Sequence, residues 1–172
     1  LSADNMRLYT VSQGHKNIQV EFNTERSSES INLLDAVAKL NFGAFELWLG
    51  RQLPPTDRAN LDGPYYLNAA YSFPMVQSFG NLGISAGRDD GIAIHGDAAD
   101  SKFEWAYGVF EGTSGGSDLD DNVRHAARID IALGDPEPGF YTGSTYFGAK
   151  KLTTLGLVFH HEEDGVGSGS NQ

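Results

Sequence analysis

The 172-residue chain contains no cysteine, which removes disulfide staples, thiolate metal sites and a cysteine nucleophile together. A cysteine-free chain suits the bacterial cell surface. Basic residues are also scarce: 12 Lys and Arg stand against 23 Asp and Glu, for a net charge of −11. The deficit is uneven, with 6 basic and 8 acidic groups in residues 1–86 and 6 and 15 in residues 87–172. Phosphate backbones are held by clustered Lys and Arg that displace counterions, so nucleic acid is excluded as a partner. Missing too is any run near the ~18 apolar residues that a membrane-crossing helix requires. A strand crosses with ~10 residues and uses every second one, so a mean hydropathy of −0.34 leaves a membrane barrel open. No leader-like segment opens the chain, as expected of a mature or truncated product. Neither a Ser/His/Asp order nor a Gly-x-Ser-x-Gly elbow is present, so no enzyme and no cofactor is expected.

What remains is a chain that folds as one domain: 40% apolar, 11% aromatic, with 21 glycines. Period-two alternation dominates. From Lys16 to Glu25, Ile18, Val20 and Phe22 oppose Gln19, Glu21 and Asn23. From Lys102 to Glu111, Phe103, Trp105, Tyr107 and Val109 oppose Glu104, Ala106 and Gly108. Phe45, Leu47 and Leu49 alternate with Glu46, Trp48 and Gly50. Between Val123 and Leu133, Ala127, Ile129, Ile131 and Leu133 face away from Arg124, Arg128 and Asp130. Less regular strands are expected at Arg7–Gln13, Leu33–Phe42, Gly91–Gly96, Tyr141–Phe147 and Leu152–His161. Leu33, Leu34, Val37 and Leu40 also fit helical spacing, though strand is preferred there. With Tyr141–Phe147 blurring the count, these nine runs amount to about eight strands.

Connections alternate in length. Tight turns are expected at Gln13–Lys16, Gly43–Ala44, Asp97–Ser101 and Gly134–Gly139, and long links at Arg26–Asn32, Leu53–Arg88 and Gly112–Asn122. Short turns at one end and long loops at the other mark transmembrane barrels. The Gly/Ser-rich residues 165–172 read as a polar loop or linker, as if the chain stopped mid-structure.

Five segments in order carry a family likeness: Asp35-Ala36, then Phe45-Glu-Leu-Trp-Leu-Gly-Arg-Gln-Leu-Pro-Pro55, then Gly87-Arg88-Asp89-Asp90-Gly91-Ile-Ala-Ile-His-Gly96. Trp105-Ala-Tyr107-Gly108-Val-Phe110-Glu-Gly112 and Tyr146-Phe-Gly148-Ala-Lys-Lys-Leu152-Thr-Thr-Leu-Gly156 follow. Over residues 33–160 the chain resembles the phosphate-selective porin family, porins O and P. That resemblance implies a trimeric outer-membrane channel of about sixteen strands, of which this chain holds about half. Two features depart from the family. Its phosphate-binding members line their pores with Lys and Arg, whereas the lysines here are Lys16, Lys39, Lys102, Lys150 and Lys151. The aromatic residue that ends such barrels is absent.

The expected structure is therefore an all-β, antiparallel transmembrane β-barrel, seen in part. Its expected partners are outer-membrane lipid, lipopolysaccharide, small ions or solutes, and two further copies in a homotrimer. If the apolar faces meet lipid, the lumen receives Glu21, Glu46, Glu104, Arg124, Arg128 and Asp130, joined by Arg51 and Arg88 at strand ends. Arg88 suits anchoring a carboxylate, and Arg124, Arg128 and Asp130 suit mutually satisfied pairs. The loop over about 53–87 is expected to fold inward, with Asp57, Arg58, Tyr65 and Tyr66 at a constriction. Acidic clusters at Asp118/Asp120/Asp121 and Glu162/Glu163/Asp164 read as solvated loops rather than metal sites. His160 and His161 are adjacent on a strand, so they face opposite ways and share no metal ion. His95 and His125 stand alone. Alternative readings are a soluble lectin-like β-sandwich binding module and a structural barrel segment without conductance.

Overall fold

The computed structural model describes residues 5–27, 30–62, 87–112, 123–143 and 146–162. The alternating segments build β1 (Asn5–His15), β2 (Ile18–Ser27), β3 (Ser30–Asn41), β4 (Phe45–Gln52), β5 (Asp89–Ala98), β6 (Phe103–Phe110), β7 (Arg124–Ala132) and β8 (Thr154–His161). One short helix, α1 (Arg58–Asp62), follows β4. Each strand pairs antiparallel with the next, so the eight form one meander with β1 and β8 at its edges. The all-β class, antiparallel pairing and eight strands agree with the alternation. Among the described residues the sheet is not closed.

Three expectations change. β2 and β3 run on until Ser27 pairs with Ser30, so the long link expected at Arg26–Asn32 shrinks to residues 28–29. Glu25, Arg26 and Ser27 continue the ladder with Asn32, Ile31 and Ser30, although no apolar alternation marks a strand there. The short turn expected at Gly134–Gly139 is instead part of a long connection over residues 133–153. Its first residues stay zipped to its last, Leu133 and Gly134 to Thr153 and Asp135 to Lys151. Tyr141–Phe147 is correspondingly not a strand but part of this irregular excursion, with residues 144–145 outside the described ones. The helical spacing in Leu33–Leu40 loses to strand, because β3 is paired on both sides.

Directly paired residues share a face of the sheet, so register sorts the side chains. One face is apolar: Leu40 opposes Leu47, Leu49 opposes Ile92, Ile94 opposes Tyr107, Trp105 opposes Ile129, and Ile131 opposes Leu155. Much of it is open, with Phe22, Ile92, Leu157 and Phe159 exposing 52, 55, 61 and 60% of their surface. The other face is polar, yet the buried residues lie on it: Val37, Trp48, Ala93, Ala106, Phe110 and Ala126 beside Asp35, Gln52, His95, Arg124 and Arg128. Small residues make room there. A Cβ at Gly108 or Gly91 would lie 2.5 or 2.6 Å from the Phe110 ring, which covers both positions.

Candidate functional site

The polar face is laced by ion pairs, some between adjacent strands, some reaching over an intervening strand and one within β7. Arg7 meets Glu25 at 2.6 Å, Lys39 meets Glu21 at 2.6 Å, and Arg88 meets Asp35 at 2.7 Å. Arg124 sits between Asp89 at 3.2 Å and Glu162 at 2.7 Å, and Arg128 pairs with Asp130. Buried charge is tolerated only when paired in this way. Of the residues assigned to the lumen, Glu21, Glu46, Glu104, Arg124, Arg128 and Asp130 share this face. Arg88 anchors a strand carboxylate. Arg51 belongs elsewhere: it opposes Ala36 and Asp90 on the apolar face and pairs with Asp90 at 3.1 Å, because it is one residue out of phase with Gly50 and Gln52.

Two connections from opposite ends of the sheet fold over the polar face and meet. In the first, Leu53, Pro54, Pro55 and Thr56 are buried. Prolines have no N–H to satisfy, and the carbonyls find sheet partners. His160 Nε2 lies 2.6 Å from the Pro55 carbonyl, and Arg128 Nη1 donates to that of Thr56 at 2.5 Å. His160 thus faces the sheet interior while His161 pairs with His125 on the apolar face, as adjacent strand residues must. Asp57 accepts from the Asn60 N–H at 3.1 Å, opening α1. Arg58 then clamps Glu137 of the second connection through two bonds of 2.8 and 2.6 Å and donates to the Gly143 carbonyl at 2.7 Å. Burial would push the Glu137 carboxyl up. The Arg58 fork, with Tyr146 and Thr154, outweighs it and holds Glu137 below the usual carboxylate range. Asp57 and Arg58 therefore lie where the first connection folds over the polar face, while Tyr65 and Tyr66 lie outside the described residues.

The chain matches no protein-family model, no curated protein and no solved structure.

A cavity of about 250 Å³ lies between the sheet and the second connection, with Glu46, Trp48, His95, Glu104, Arg128 and Phe140 in its wall. Its aromatic side is ordered. The His95 ring lies 4.2 Å from Trp48 and meets Phe140 edge-on at 4.7 Å, and Lys39 Nζ is 3.7 Å from the centre of a Trp48 ring. Glu46 accepts from Asn41 at 3.0 Å and from Trp48 Nε1 at 2.9 Å, and Glu104 accepts from the Gly139 N–H at 3.0 Å. His95 Nε2 is buried without a hydrogen-bond partner. Glu137, Trp48 and His95 were not singled out as site residues from sequence. For His95 a signal existed, since it lies out of phase with Ile92 and Ile94 and so belongs on the polar face.

Proposed function

We propose that the chain forms wall of an outer-membrane β-barrel porin of the O and P type, a passive, non-enzymatic pore for small ions or solutes. The apolar face meets lipid, with lipopolysaccharide at the headgroup level, and the polar face lines a water-filled lumen. Three copies associate as in the resembled family.

One observation carries this reading: among the described residues the covering segments pack on the polar face and leave the apolar one bare. In water the hydrophobic effect drives covering chain onto apolar surface, and monomers rarely expose a contiguous apolar patch beyond a few hundred Å². A bilayer reverses that preference. Strands of 8 to 12 residues suit the ~9–11 needed to cross it at a tilt. The ion pair on the apolar face, Arg51 with Asp90, stands at strand ends, where headgroups rather than acyl chains would surround it. Among the described residues β1 and β8 each keep one unpaired edge, which a membrane wall would have to pair.

The intact parent chain, purified in detergent and added to a planar lipid bilayer, is expected to give stepwise conductance. Reversal potentials in a potassium chloride gradient should show cation preference, because the chain is strongly acidic. Full solubility without detergent together with absent conductance would replace the porin by the sandwich-type binding module.

A further inference from the structure

The excursion after β7 leaves the sheet as a ribbon with firmly tied feet. Leu133 and Gly134 donate to the Thr153 carbonyl and Asp135 to that of Lys151, whose own N–H returns to the Asp135 side chain. Lys150 Nζ holds the Pro136 carbonyl at 2.8 Å. Beyond these contacts residues 137–143 run over the polar face, where the cavity of about 250 Å³ separates Pro138, Gly139, Phe140 and Thr142 from the strands beneath. One guanidinium grips both ends of that stretch. Arg58 meets Glu137 through two bonds and the Gly143 carbonyl through a third, and it comes from the connection at the opposite end of the sheet. Between the gripped ends, the stretch is tied to the sheet by the Gly139 N–H on Glu104 and by the Phe140 and Tyr141 rings beside Trp48. It therefore bridges a space that it does not fill.

We propose that residues 137–143 form a lid over this cavity, locked by the Arg58–Glu137 clamp and released when Glu137 loses its charge. The clamp is the charge-dependent tie. Protonation turns one acceptor oxygen of Glu137 into a donor and removes the ionic part of the fork, whereas a neutral Glu104 would still offer an oxygen to the Gly139 N–H. The other groups around Glu137 do not take over the lock. Tyr146 and Thr154 are neutral, and Lys150 is held at Pro136. Lys102, Glu104, Arg128 and Asp130 border a small space beside Glu137, but Lys102 is exposed and Arg128 and Asp130 pair with each other. Glu137 is held below the usual carboxylate range, so the lid stays locked at neutral pH and opens as pH falls through that lower value. With the feet still tied, the released residues swing back toward their own end of the sheet and uncover Trp48. In the pore the lid narrows the lumen until acid opens it, and that role rests on the porin reading.

The test is acrylamide quenching of Trp48 in a Trp105→Phe background, with the full chain in detergent micelles titrated from neutral pH to about pH 3 and circular dichroism recorded alongside. Trp48 is 4% exposed with the lid shut, so quenching is expected to rise on acidification while the strand signal stays unchanged. Glu137→Gln should show the raised quenching already at neutral pH and lose the acid transition, and Arg58→Gln, which removes the fork from the other side, should match it. Glu104→Gln keeps an acceptor for Gly139 and should retain both the low neutral value and the transition. Flat quenching in the background chain, a rise that accompanies loss of strand signal, or a transition that survives in Glu137→Gln would overturn the lid. Bilayer conductance separates the two claims. A conducting chain is expected to take larger unitary steps in acid, and Glu137→Gln to take them at neutral pH as well; steps unchanged by either would overturn the gating role. Conduction without a quenching transition removes the lid and leaves the porin, whereas an acid-opened lid in a chain that needs no detergent and conducts nothing removes the porin and leaves the lid.

Discussion

Glu137 shows how one side chain decides where a whole connection lies. Two Arg58 bonds and the Thr154 hydroxyl at 3.1 Å hold it as a carboxylate in a buried position. Its carboxyl is depressed in the folded chain relative to an unfolded value of about 4.3, so its contribution is present above that value and disappears as pH falls through the lower, folded one. Residues 133–153 are therefore expected to stay docked at neutral pH and to loosen below about pH 4. Phe140 travels with this connection and lies 5.3 Å from Trp48, so Trp48 fluorescence in the Trp105→Phe background reports the release. Glu137→Ala should produce the loosened signal at pH 7 and cost about 2 kcal/mol of docking free energy, a breakable pair being worth less here because Arg58 keeps contact with water. A fluorescence titration flat down to pH 3 would show that other contacts hold the segment.

At the scale of the strands, the packing of Phe110 is the most exacting feature. The ring is 1% exposed and lies across Gly91 on β5 and Gly108 on its own strand. Gly108→Val places carbon 2.5 Å from that ring and must shift it, at an expected cost of about 2 kcal/mol. Gly14→Ala meets open space in the first hairpin and should change the denaturation midpoint little. Comparing the two midpoints checks the assignment. Gly50 has a different reason to be glycine: its φ of +117° and the Ala36 carbonyl 2.3 Å from any added Cβ leave no room for a side chain between β3 and β4. Hairpin turns follow residue chemistry less closely. Ala99, Asp100 and Ser101 all adopt positive φ near +55 to +60°, where glycine would be the ordinary choice.

For the whole molecule, the decisive matter is what surrounds the apolar face. Ile129, in the middle of β7, is 40% exposed on that face, one residue from Arg128 on the other. Against lipid, Ile129→Lys should cost about 2–4 kcal/mol and lower the yield of folded protein in vesicles. In a soluble sheet the same change would be near neutral or would raise solubility, so urea titration in vesicles and in buffer separates the two environments. Much of this organisation was legible from alternation alone: all-β class, eight strands, the in-or-out parity of Glu21, Glu46, Glu104, Arg124, Arg128 and Asp130, and the divergence of His160 from His161. Period-two patterning records which face a residue joins because consecutive strand residues must point opposite ways. It does not record where irregular chain docks. Arg58 and Glu137 are 79 residues apart and His160 and Pro55 are 105 apart, with no periodicity linking them. Arg51 was misassigned because being charged is not the same as being in phase. The sequence by itself thus determined the strands and the composition of their two faces. Only the tertiary structure decided that the described parts of the connections after β4 and β7 cover the polar face, that Arg58 meets Glu137, and that His95 is buried beside a cavity, because those contacts depend on register and chain return and not on local pattern.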